Sequence, residues 1–379
     1  MRRGSIFLLF VLLCAVLSFR SGTDVEDQAF ALNLGLDIDS DGMMLITLQM
    51  PASGKTEEQT TSGAGGAYQV VQARGHTYHD ALQVLGASIP RDVNFSQLLQ
   101  IIVSRNLASD PSFPYVLEGV LSTLRIRQSA SLAVARHSAA EIIENQQAFL
   151  GVRLSTDIQT TLDVFSEGGS VPESQLGQVQ RLMDGAWRTA VVPYVGLNES
   201  GMQNPDSAAG RPLDGVAGSL AYEGENEVEY LGAVLLDRTG MVGELTGMEM
   251  RFLAFVQGSM KQFIFRVDDA YYLVEQNFRP RLRVSRSGEA WTLQVEGGIT
   301  AYPRSRERVG ETRVSEAFAA EVLHVLEKLR DLGVDPVGFE GIAVRSSPTL
   351  DAWAQEGWER QYRDSSIEVS IRATVHYGN

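Results

Sequence analysis

The last third of the chain carries the clearest pattern of apolar and polar positions. Ile367, Val369, Ile371, Ala373, Val375 and Tyr377 alternate strictly with Glu368, Ser370, Arg372, Thr374 and His376. That period predicts a half-buried strand, which we read as antiparallel to its neighbours. Upstream, Phe318, Val322, Val325, Leu326 and Leu329 fall on one helical stripe, capped by Ser315 and closed by Gly333. A second helix is expected after a Ser347 cap, with Pro348 in its first turn and Leu350, Trp353, Ala354, Trp358 and Tyr362 inward. Leu282 and Val284 alternate with Arg281, Arg283 and Ser285, and Trp291 to Val295 continues the strand pattern.

The first half alternates short strands with helices. Ala29 to Leu36 and Met44 to Met50 read as a hairpin about an Asp41-Gly42 turn. Residues 51–67 hold almost no apolar side chains and read as a loop. Tyr68 to Ala73 is strand-like, and Thr77 can cap a helix bearing Tyr78, Ala81, Leu82 and Leu85. Leu98 to Val103 and Ser131 to Ala135 suit buried strands, and Ser138-Ala139-Ala140-Glu141 has the form of a capping box. From Asn198 to Ser219, Gly, Ser, Asn, Asp and Pro dominate. Tyr230 to Leu236, a turn at Arg238-Thr239-Gly240 and a helix over Met248–Val256 follow.

These elements predict a mixed α+β chain of three successive domains, each a small sheet with packed helices. The expected boundaries are an N-terminal α/β domain over 23–197, a linker over 198–219, a middle domain over 220–280, and a C-terminal domain over 281–379. The last is read as an antiparallel sheet plus two helices.

Residues 1–22 stand apart. Arg2 and Arg3 precede an apolar run from Ile6 to Leu17, the order of an export signal and shorter than the roughly 20 residues that span a bilayer. Cys14 lies inside that run, after Leu12 and Leu13 rather than a small residue. Three outcomes stay open: lipidation at Cys14, cleavage nearer Ser18, or an uncleaved anchor. Each places the body of the protein outside the cytoplasm.

Composition narrows the function. Of 379 residues, 32 are basic and 47 acidic, a formal net charge of −15. That balance opposes general nucleic-acid binding, which needs a positive field. A single cysteine excludes an intramolecular disulfide framework and a multi-cysteine zinc site. Neither a cofactor nor a metal is expected. Asp37-Ile38-Asp39-Ser40-Asp41-Gly42 is similar to the opening of a calcium loop, but Leu48 stands where the bidentate Glu belongs. Gly54-Lys55-Thr56 has the end of a phosphate loop without its first glycine, since residue 49 is Gln. His76 and His79 lack further ligands. Asp163, Glu167, Glu173, Glu223, Glu225, Glu227 and Glu229 supply carboxylates, mainly in loops, without a shaped cleft for acid–base catalysis. Arg279, Arg281 and Arg283 share a strand face, and Arg304, Arg306 and Arg308 repeat the spacing. Such faces are solvated, or they meet an acidic partner or phospholipid head groups.

The ordered set of segments resembles the C subunit of the bacterial spore germinant receptor. Asp24 to Asp37, with an acidic pair ahead of Leu34-Gly35-Leu36-Asp37, is similar to the family's opening. Gln49-Met50-Pro51, Ala73-Arg74-Gly75-His76-Thr77, Leu99 to Val103, Val191-Val192-Pro193 and Leu231-Gly232-Ala233-Val234 follow in the family's order. Asp335 to Phe339, Trp358 and the final alternating strand complete it. The resemblance implies a three-domain protein without catalytic activity, on the outer face of the inner spore membrane. It implies two integral membrane partners, the A-type and B-type subunits, in a nutrient-sensing complex, with Cys14 as the possible lipid anchor. The alternative is a stand-alone extracytoplasmic solute-binding protein, which needs two lobes about a cleft.

Overall fold

A computed structural model describes residues 28–51, 68–146, 154–185, 188–199, 201, 213–224, 226–288 and 290–376. Residues 1–22 with Cys14, the Gly54-Lys55-Thr56 motif, Glu225 and Tyr377 lie outside them. The mixed α+β class expected from the sequence is observed, built on an eight-stranded sheet, a five-stranded sheet and a two-stranded ribbon.

β1 (Gln28–Phe30) leads into β2 (Asn33–Ile38), which pairs antiparallel with β3 (Met44–Pro51), itself followed by β4 (Tyr68–Gly75). Asp39 builds the first turn, where its carboxylate accepts from the Asp41 and Met43 amides and Gly42 takes a positive φ of 74°. Arg74 of β4 pairs with both Asp39 and Asp41. This is the hairpin turn read from Asp41-Gly42. α1 (Tyr78–Ser88) starts with a full capping box: Thr77 Oγ1 accepts from the Asp80 amide at 3.2 Å and Asp80 accepts from the Thr77 amide at 3.0 Å.

β5 (Asp92–Asn94) pairs with β1, and β6 (Gln100–Ser104) opens the parallel part of the large sheet. α2 (Arg105–Ala108), α3 (Phe113–Leu124), β7 (Ser131–Ala135), α4 (Ala139–Asn145), α5 (Leu154–Glu167), α6 (Leu176–Met183) and β8 (Ala190–Leu197) follow. β2, β6, β7 and β8 run parallel, as helical crossovers require. α1, α3 and α6 cover one face through Leu85, Phe113, Leu117 and Val179, and α4 covers the other through Ile142 and Ile143.

The Leu34-Gly35-Leu36-Asp37 segment has a packing reason. A Cβ on Gly35 would stand 2.9 Å from Ile143 Cδ1, so glycine lets α4 lie on the sheet. Asp37, 6% exposed, then accepts from the Ala139 and Ala140 amides at 2.8 and 3.1 Å, while Ser138 Oγ takes the Glu141 amide. The first amides of α4 are thereby satisfied.

β9 (Val228–Asp237) and β10 (Gly240–Leu245) continue this sheet, giving the order β10-β9-β8-β7-β6-β2-β3-β4. The middle domain expected over 220–280 is therefore divided. Val228 to Leu236 are all buried, so β9 needs cover on both faces, which an interior position of a large sheet supplies. The described end of the expected linker is packed as well. Glu229 of β9, 3% exposed, accepts from the Gly218 amide at 2.6 Å and the Leu220 amide at 3.3 Å, and Asn198 donates to it. Burial pushes the Glu229 carboxyl above its ordinary value against these hydrogen bonds.

α7 (Gly247–Gln257), β11 (Gln262–Val267) and β12 (Ala270–Gln276) belong to the C-terminal sheet with β13 (Arg281–Ser287) and β14 (Ala290–Pro303). α8 (Glu311–Leu332), α9 (Glu340–Ala343), α10 (Leu350–Glu356), α11 (Trp358–Arg363) and β15 (Ser366–Val375) complete the chain. β15 is parallel to β14, not antiparallel, because the helical excursion between them returns the chain to the end where β14 began. α8 starts at Gly310 rather than Ser315. Ser315 and Glu311 instead accept from the Ala373 and Val375 amides at 2.9 Å each, covering part of the outer edge of β15. The expected second helix begins at Thr349, not Ser347, and breaks at Gly357, whose φ is +65°.

Candidate functional site

The helices α8 to α11 pack on one face of the C-terminal sheet. Its core joins Phe252 and Phe255 of α7, Phe263 and Phe265 of β11 and Phe318 of α8, with Trp291, Trp353 and Trp358 beside them. The opposite face is open. Register places Ile264 beside Leu273, Arg266 beside Tyr271, Glu275 beside Thr300, and Arg281 and Ser370 on either side of Glu296. Ile264, Tyr271 and Phe278 are exposed here at 47%, 42% and 52%. Arg266 lies over the Tyr271 ring at 5.7 Å, and His376 stacks on Tyr302.

The arginines expected on this face are sorted by their neighbours. Arg283 pairs with Glu296 at 3.3 Å. Arg281 lines a hollow over Gly298 together with Phe278, Ser370 and Arg372. Arg279 turns away and lies against Gly258. Arg304, Arg306 and Arg308 follow the end of β14 at Pro303 and are on a connector to α8, not on a strand face.

A second concavity, of about 570 Å³, lies where α5, α6 and α7 meet the start of β13. Val179, Val191 and Met250 give it apolar walls, and Asp163, Glu167 and Glu173 stand at it with Lys261 and Arg279. Three carboxylates singled out in the sequence thus come together here, and Lys261 pairs with Glu167 across it. Nearby, Arg251 of α7 lies over the Phe263 ring at 5.0 Å, and burial lowers its guanidinium to about 10. Sequence reasoning did not find this groove, because its lining is gathered from segments spread along the chain between Asp163 and Val337.

His76 and His79 are exposed at the start of α1, with the His79 ring against Tyr78. Glu223 and Glu227 are exposed, and Glu229 is spent on holding the Gly218–Leu220 turn. Among the described residues no group of three His, Cys, Asp or Glu is arranged to hold a metal ion, and no helix is long and apolar enough to cross a membrane.

Comparison with known proteins fits this architecture. Residues 21–197 match the spore germination protein N-terminal domain, and residues 232–378 match the spore germination B3/GerAC-like C-terminal domain. The putative spore germination protein YfkR of Bacillus subtilis (strain 168) is 20% identical, over 94% of this chain and 91% of its own length. Spore germination protein KC of the same organism is 22% identical, over 93% and 90%. The crystal structure of the GerBC protein superposes with a TM-score of 0.54 at 14% identity, covering 91% of this chain and 97% of that one, a likeness of fold. The two matched domains lie in order and together span most of the chain, so the protein belongs to the GerAC-like family of spore germination proteins, the C subunits of germinant receptors.

Proposed function

We propose that the protein is a non-catalytic, membrane-associated subunit of a nutrient germinant receptor. It acts beside the A-type and B-type integral membrane subunits on the outer face of the inner spore membrane, held there by its N-terminal segment, with Cys14 as the possible lipid attachment. The observation that carries this reading is the in-order match of both domains across residues 21–378, with relatives covered over nine-tenths of their length. Export and membrane association are supported by the Arg2-Arg3 and Ile6–Leu17 pattern. Disruption of the gene in the spore-forming host tests the role. Loss of nutrient-triggered germination with germination by non-nutrient routes intact is expected, and normal nutrient response in the mutant would refute it.

The groove between α5, α6 and α7 favours one second reading, in which the protein binds a solute by itself. Calorimetry of the purified chain against nutrient amino acids and sugars decides between the two. Micromolar binding without any partner subunit supports the solute-binding protein.

A further inference from the structure

The hollow over Gly298 has the chemistry of an anion site. Three rows of residues cross the open face of the C-terminal sheet. In the first, Arg281 and Ser370 flank Glu296, and in the third, Glu275 and Thr374 flank Thr300. In the row between them β14 contributes Gly298, which is paired with Arg372. With no side chain there, a hollow of about 480 Å³ opens on the sheet surface. Phe278 walls one side, since a Cβ on Gly298 would come 2.9 Å from its ring.

The charges around this hollow are unequal. Glu296 is engaged by Arg283, and Gln294 donates to Glu368 at 2.8 Å. Arg281 and Arg372, by contrast, form no ion pair among the described residues, whereas Arg266, Arg286 and Arg313 all do. Two open guanidinium groups beside the hydroxyls of Ser370 and Thr374 offer planar, forked donors, the arrangement that matches phosphate oxygens. The exposed Phe278 ring accepts apolar substance next to the anion.

We propose that the Gly298 hollow binds a phosphate group carried on a partly apolar molecule, through Arg281 and Arg372. The site goes beyond the receptor reading and stands without it. A phospholipid head group and a soluble phosphate ester share this chemistry, and the experiment separates them. The full-length protein is titrated with inorganic phosphate and with phenyl phosphate. In parallel it is sedimented with vesicles of phosphatidylglycerol and of phosphatidylcholine. The readout for lipid is the difference between the two vesicle types, which removes any insertion by the N-terminal apolar segment. Preference for phosphatidylglycerol identifies a lipid source, and binding of phenyl phosphate without vesicle preference identifies a soluble one.

Either affinity should fall about thirty-fold in Arg281→Gln/Arg372→Gln, at roughly the surface contribution of two arginines. Arg345→Gln/Arg360→Gln removes the same charge from the helical side of the sheet and should change it less than about three-fold. Both pairs are exposed, so unchanged melting is the folding control. The proposal is overturned if neither ligand form binds, or if the two double variants lose affinity equally, which would reduce the effect to net charge.

Discussion

Phe318 is the side chain on which the C-terminal half closes. It is fully buried on α8, with the Phe252, Phe255 and Phe265 rings edge-on at centroid distances of 5.2, 4.9 and 5.3 Å. Removing a buried ring to Ala costs about 3–5 kcal/mol, with the upper part reached where the site does not collapse. Edge-to-face pairs add about 0.5–1.5 kcal/mol each beyond buried area, though three pairs sharing one ring do not add fully. The neighbours here are themselves buried between a helix and a sheet, so little collapse is available. We therefore expect Phe318→Ala to destabilise the protein by about 4–5 kcal/mol. Equilibrium urea unfolding followed by tryptophan fluorescence is the assay, because Trp291, Trp353 and Trp358 pack together in this same half. The midpoint should fall with the denaturant slope unchanged. Phe165→Ala, on an exposed position of α5, should stay within about 0.5 kcal/mol. A loss below about 1 kcal/mol for Phe318→Ala would refute the closed aromatic core, since it lies well under the roughly 3–5 kcal/mol that deleting a buried ring costs.

Other expectations follow from single observations. Trp358→Ala, at a ring 3% exposed against Trp291 and Trp353, should cost about 3–5 kcal/mol in the same unfolding experiment, and a negligible shift would contradict the inward face of α11. Asp37→Ala leaves the Ala139 and Ala140 amides without their acceptor and should cost about 1–3 kcal/mol, read as a lower thermal midpoint. Gly232→Ala should lower stability by more than about 1 kcal/mol, because φ is +79° there and a Cβ would meet the Leu245 carbonyl oxygen at 2.3 Å. Burial raises the Asp37, Glu229 and Asp335 carboxyls, so the folded state holds protons more tightly than the unfolded one. Their contribution is present in full below the ordinary carboxylate range near pH 4 and is lost as pH rises through the raised values, so these groups should lift the urea midpoint as the pH is lowered from neutrality toward that range. Asp335→Asn should reduce that rise, and an equally steep rise in the variant would contradict the assignment.

Local signals were legible wherever one residue and its near neighbours decide the outcome. Thr77 and Asp80 are spaced as a capping box and form one. Asp41-Gly42 turns the first hairpin, and the alternation from Ile367 to Val375 is the burial pattern of β15. What the sequence hid depends on distant partners. Alternation has no direction, so it is silent on whether β15 runs with or against β14. Ser315 has the composition of a helix cap, yet it sits inside α8 because its hydroxyl serves a strand edge 58 residues away. The continuous apolar run of β9 fits the centre of any sheet, and its own residues do not say which one it joins. Arginines at every second position read alike on a strand and on the connector after Pro303. The Gly298 hollow is a missing side chain between two rows, visible only once β12, β14 and β15 are in register.

The placement of β9 changes how the open face is mounted. Ala233, Leu235 and Leu245 of the large sheet lie in the same buried cluster as Phe252, Phe255 and Phe318, so the two sheets share a core through α7. On β14 the neighbour of Gly298 is Gly297, whose inner side faces that helix, with a Cβ there falling 2.6 Å from Phe255 Cζ. The strand that carries the hollow is thus backed directly by the helix that joins the sheets. Two domains on a free linker would let the C-terminal face sample many orientations relative to the N-terminal half. A shared close-packed core holds one, because interiors of this density resist sliding by more than fractions of a side chain. Whatever docks on the open face therefore meets a surface whose direction is set by the large sheet. The packing calls for no hinge between the halves, and any ligand proposed for the open face would meet it in one fixed orientation relative to the large sheet.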